Sequence, residues 1–149
     1  MAGQVTLDTN EWDGFFKTVS DGMKDPKPYL RAAFATRGFS DVISHFDDAR
    51  GPRGSWAPLK PATIARRRKG RGTGSARPLQ DTGNLRRNFL PTNIDDLGNN
   101  SIVFFNPTPY AAPHDEGSEK QHLPQREFMW LSDKATDDMI NIVLDLVVK

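Results

Sequence analysis

The sequence predicts an α+β domain: two N-terminal helices, a basic arm, a small antiparallel sheet and a C-terminal helix. Three observations carry this expectation. Apolar residues recur at helical spacing towards both ends of the chain, short β-rich runs around a Gly/Asn turn occupy the region between, and no segment repeats. At 149 residues the chain is the size of a single domain, 1–149. Folding at that length removes roughly 68–70% of the unfolded chain's surface from water.

The elements follow in order. Val5 and Leu7 flank Thr6 as a short edge strand, after which Thr9 or Asn10 caps the first helix. Trp12, Phe15, Phe16, Val19 and Met23 fall on one helical face. Aromatics at this spacing are read as core rather than as a cofactor box. The stretch "KDPKP" stops that helix, and Pro28 opens a second one. The second runs to about Phe46 through Leu30, Ala33, Phe34, Val42 and Ile43, with Gly38 as its weak point. "DDARGPRGSWAPLKP" is a turn-rich connector anchored on the helical core by Trp56 and Leu59.

Pro61 begins a short helix, "PATIARRRK", which glycines at 70, 72 and 74 end. Nothing from Gly70 to Ala76 can anchor a core, so 66–78 is expected to be a mobile basic arm. Leu79, Leu85 and Phe89 return the chain to the core. Between the first two, Asp81 accepts backbone N–H groups at a turn and Gly83 takes a conformation that a side chain would resist. "NFLPTNI" and "SIVFFN" read as two strands joined by "DDLGNN", and Pro91 makes the first an edge or bulged strand. After a loop shaped by Pro113 and Gly117, "REFMWL" reads as a third extended run. Ser132 then caps the last helix, with Met139, Ile140, Val143, Leu146 and Val147 on one face.

The formal charge of +1 hides a segregation. Arg50 to Arg87 holds eleven Lys or Arg against one acid, Asp81, a local charge of +10 that leaves −9 to the rest. One region attracts anions while the remainder repels them, which suits copies meeting head to tail. There are no cysteines, which excludes disulfides and thiolate metal sites. The start lacks the pattern of a secretory signal, and the final apolar run, "IVLDLVVK", is far short of a bilayer span. A soluble protein of a reducing compartment is expected, with no membrane partner.

Signatures of catalysis fail in turn. "GRGTGSAR" lacks the Lys-Ser/Thr of a P-loop and follows a basic helix rather than a strand. His114, Asp115, Glu116 and His122 could offer metal ligands from one loop, but their spacing fits no metal motif. His114 is read as a hydrogen-bonding loop residue, and Tyr110 as a large apolar body with one polar tip, suited to an interface. No local pattern marks a hydrolytic nucleophile. The expectation is a protein that is not an enzyme, with no catalytic residues, no metal and no cofactor.

Arg66, Arg67, Arg68, Lys69, Arg71 and Arg77 crowd six cations into twelve positions. Such a run suits phosphate contact, yet from Ala57 to Asn88 there is no aromatic to stack on bases. Three readings stand side by side: a nucleic-acid grip, a dock for an acidic protein, or a solvated loop.

At "GSWAPLKPATIARRR" and "PLQDTGNLRRNF" the chain resembles the phage virion morphogenesis family, which includes the Mu G-like proteins and the tail-completion proteins of P2-like phages. The matching residues are Pro52, Gly54, Trp56, Leu59, Thr63 and Arg67; then Leu79, Thr82, Gly83 and Leu85; then Tyr110, Ala111, His114, Gly117, Pro124, Arg126 and Phe128. Asn88 and Phe89, and the "PTP" before Tyr110, depart from the family pattern. The resemblance covers nearly the whole chain and rests on the order and spacing of the pieces together. It implies a structural virion protein of the head–tail junction, acting in tail completion and joining as a ring subunit, taken as hexameric. Its neighbours would be connector and tail-tube proteins, with DNA passing through the lumen, and assembly would take place in the host cytoplasm. The alternative is a small nucleic-acid-binding accessory protein that contacts DNA through 66–77.

Overall fold

The computed structural model describes residues 3–8, 25–70, 73–98 and 100–148. The first helix expected from Trp12 to Met23 lies outside them, as does Arg71. Strand β1 (Gln4–Asp8) is followed by the long helix α1, which runs over Lys27–Ala33, passes through a π-helical turn at Phe34–Gly38 and resumes over Phe39–Asp48. Pro28 stands in its first turn, where a missing N–H costs nothing. Gly38, expected as the weak point, closes the π-helical turn and is buried. A Cβ there would sit 2.5 Å from the Phe34 ring and 3.0 Å from Met139 Sδ, so the missing side chain lets two helices approach.

The connector holds a miniature hairpin, β2 (Arg50–Gly51) and β3 (Gly54–Ser55), turned by Pro52 and Arg53. Helices α2 (Pro61–Lys69) and α3 (Asn84–Arg87) precede β4 (Ile94–Gly98) and β5 (Ser101–Phe105). Helix α4 (Ala111–Glu116) and helix α5 (Asp133–Val148) complete the order. The three-stranded sheet is antiparallel, in the order β1-β5-β4, which makes the architecture α+β. Val5 lies opposite Phe104, and Asp95 opposite Val103. Buried from Ser101 to Phe104, β5 is the central strand, which is why its sequence is a near-continuous apolar run.

Two aromatic clusters fill the core. Phe34 stacks on Phe104 with centroids 3.9 Å apart, and Phe89 meets both edge-on. Phe46 packs on Trp56 and Phe128 at 5.8 and 5.1 Å. Helix α5 is locked by polar groups at its start. The Ser132 hydroxyl accepts from Ala135 N–H and donates to Asp41, whose other oxygen accepts the Ser132 N–H. Beside them His45 stacks on Trp130 at 3.9 Å and donates to its carbonyl.

Three expectations are corrected here. The strand before the turn is "IDDLG", not "NFLPTNI". Pro91 and Thr92 form a turn of their own, and the acidic stretch assigned to the hairpin turn pairs with β5. "REFMWL" joins no sheet, because a buried carboxylate takes its N–H groups instead: Asp115 Oδ1 accepts from Phe128 and Met129 at 2.8 and 2.9 Å. On α5, Ala135, Met139 and Val143 face the core, whereas Leu146 is exposed.

Candidate functional site: a groove between the basic helix and the 110–126 segment

Helix α2 buries none of its residues. Arg66, Arg68 and Lys69 are exposed, and none of them has a carboxylate partner among the described residues. Arg67 turns inward, its Nη1 donating to the carbonyls of Ser75 and Arg77 at 3.0 and 2.9 Å, with Nε 3.8 Å from Asp81. Thr73 closes the return through its N–H and hydroxyl, both donated to the Asp81 carbonyl. Residues 73–78 therefore fold back along α2 instead of extending. A single guanidinium reaches two carbonyls and ties the returning stretch to the helix. Of this region, Arg77 is exposed on the returning stretch.

Across from α2, Gly83 adopts φ +76° and lets the chain enter α3, which plants Leu85 in the core. Asn106, fully buried, donates to the Leu85 carbonyl at 2.7 Å. Asp81 does not take the backbone N–H groups expected of it. One oxygen faces Arg67, and Oδ1 is buried without a partner. Tyr110, 43% exposed, precedes α4. His114 lies on that helix rather than in a loop, its ring edge-on to Tyr110. Its Nδ1 is buried with no hydrogen-bond partner, so the expectation of a hydrogen-bonding residue fails; its backbone carbonyl accepts the Arg126 N–H at 2.9 Å. Burial, followed by the charges of Arg126 and Arg67, holds the imidazole below its usual pKa. Gly117, at φ +80°, ends α4 where a Cβ would meet Gln125 N at 3.0 Å.

Arg126 is 5% exposed, its Nε donating to the Ala57 carbonyl at 3.0 Å and Nη2 to that of Pro58 at 3.4 Å. It has no carboxylate within ion-pair range among the described residues, and burial lowers its pKa from the usual arginine value. Trp56 and Phe128 lie in the core, and Trp56 Nε1 donates to the Glu127 carbonyl at 2.9 Å.

These pieces enclose an open groove of about 1210 Å³. Arg66 and Arg67 line it with Leu59, Thr82 and Leu85; Tyr110, His114, Gly117 and Arg126 meet them there, as do Thr63, Leu79, Asp81, Glu116, His122 and Pro124 among the residues singled out in the sequence. Gly83, Arg68, Lys69 and Arg77 do not line it. Leu59 is half-buried and faces the groove, so Trp56 alone carries the anchoring expected of both. Asp115 was legible as a possible ligand but holds two backbone N–H groups, and burial raises its pKa. Among the described residues no cluster of three or more His, Asp or Glu side chains is placed to hold a metal ion. Among them, too, no helix is long and apolar enough to cross a membrane. The Asp41–Ser132 lock was not foreseen beyond the cap itself, since a helical Asp in sequence gives no sign of a partner ninety-one positions away.

No protein-family model, curated protein or solved structure matches the chain.

Proposed function

We propose that the chain is a structural subunit of a phage head–tail junction, acting in tail completion and head–tail joining as a member of a ring. The observation that carries the reading is convergence. Motif positions scattered from Leu59 to Arg126, on five separate segments, meet on one groove. Such a surface suits the docking of a protein segment: it sets apolar side chains such as Leu59, Leu85 and Leu123 beside the cations Arg66, Arg67 and Arg126. The segregation of +10 from −9 supports head-to-tail contacts between copies.

Electron microscopy of the purified protein, with antibody labelling of intact virions, tests this. Rings in isolation and label at the neck are expected. Absence from the neck would refute the reading. A second reading, a nucleic-acid-binding accessory protein, draws on the exposed, unpaired cations of α2. Salt-dependent DNA binding by a free monomer that forms no ring would favour it.

A further inference from the structure

Two features of the molecule are incomplete in complementary ways. The groove holds a nine-tenths-buried guanidinium without a carboxylate, since only Nε and Nη2 of Arg126 find acceptors. A buried cation left unpaired is costly, and a carboxylate completes it. Two further buried atoms of the groove lack partners, His114 Nδ1 and Asp81 Oδ1.

Strand β4 carries the opposite deficits. It lies at the sheet edge with β5 as its one strand neighbour. Its backbone is partly closed within the chain, the Ile94 carbonyl accepting from Arg31 at 3.4 Å and the Gly98 N–H donating to Asp96 Oδ1 at 2.7 Å, so what it offers another chain is chiefly its exposed side chains. Asp95 is exposed and has no cation partner among the described residues, whereas Asp96 is held by Lys27 at 2.7 Å. The pairing shifts between Asp96 and Gly98, which leaves Leu97 without a cross-strand partner and 48% exposed. Leu90, just upstream, is equally exposed. The large exposed hydrophobics of the described residues are thus Leu90 and Leu97 by the strand, Tyr110 in the groove, and Leu146.

We propose that the groove receives strand β4 of a second copy of this chain, with Asp95 set against Arg126 and Leu97 against Leu59, Leu123 and Tyr110. This rests on the ring-subunit reading and names its contact. No residue of β4 lines the groove of its own copy. Each copy therefore offers a strand to one neighbour and a groove to the other, a head-to-tail contact that closes into a ring when the rotation allows. Duplex DNA would meet the exposed Arg66, Arg68 and Lys69 but leave Arg126, which lies below the surface, without a carboxylate.

Sedimentation of the purified full chain and its variants tests the contact. Asp95→Arg should weaken self-association by more than about tenfold, as expected for loss of a desolvated charge pair, and leave the monomer's melting unchanged. Tyr110→Glu and Gln121→Glu, exposed positions in the groove, should weaken it too without touching Arg126, whose loss could unfold the chain. Asp137→Arg, on the outer face of α5, should leave association intact. If the wild type assembles and Asp95→Arg does not weaken it, or if Asp137→Arg does, the ring stands and this contact is wrong. If the wild type stays monomeric at every concentration and is absent from virion necks, the ring reading fails and this contact with it. Protection of the groove by duplex DNA, with assembly unaffected by Asp95→Arg, would overturn the proposal in favour of phosphate contact.

Discussion

Trp56 gives its ring to the aromatic core and its N–H to the Glu127 carbonyl. Trp56→Ala should therefore cost about 3–5 kcal/mol, read as a lower urea midpoint with an unchanged slope. Gly83 and Gly117 separate two reasons for glycine. Both have positive φ, but a Cβ at Gly83 meets nothing within 4 Å, while one at Gly117 meets Gln125 backbone at 3.0 Å. Gly83→Ala should cost roughly 1–2 kcal/mol from backbone conformation alone, and Gly117→Ala should cost more; equal losses would contradict the packing argument. The histidines set a pH dependence. Burial lowers the pKa of His45 and of His114 below the ordinary 6.5. The unfolded chain then binds these protons first, so stability is present above 6.5 and falls as pH drops from there towards the folded-state values. Asp115 acts in the opposite direction, but in a window starting at 3.8. Thermal melting should drop between pH 7 and pH 5, and His45→Gln with His114→Gln should flatten that slope.

At the scale of elements, α2 and the stretch that returns along it divide the basic cluster by role. Arg67 is tied to Ser75, Arg77 and Asp81, while Arg66, Arg68 and Lys69 face solvent. Replacing Arg66, Arg68 and Lys69 by Ser should leave melting unchanged and impair assembly. Arg67→Ser should instead release residues 73–78, seen as faster amide exchange there. The sequence read these elements unevenly, for physical reasons. The helix from Pro28 to Phe46 and the start of the last helix were plain, because the 3.6-residue period and the Ser132 cap act locally. The hairpin was misplaced because Asp95 and Asp96 look like turn residues; they tolerate a strand because it is an edge with an exposed side. "REFMWL" looked like a strand because a β-rich run does not disclose that Asp115 will take its N–H groups.

Over the whole molecule, the groove was legible only as a scatter of motif positions. Their order along the chain was visible, but not that Arg67, His114 and Arg126 face one space, since that depends on α4 being a helix and on Gly117 turning it. The polarity of charge was visible from counting alone, and it underlies the proposal of an assembly subunit whose basic region meets the acidic surface of a neighbouring chain. The most direct test is a reconstruction of the assembled virion neck that locates helix α2 and the groove beside it. The expected result is a ring in which both lie against carboxylates of the adjacent copy. A neck in which α2 runs along the DNA and touches no carboxylate of a neighbouring chain would contradict it.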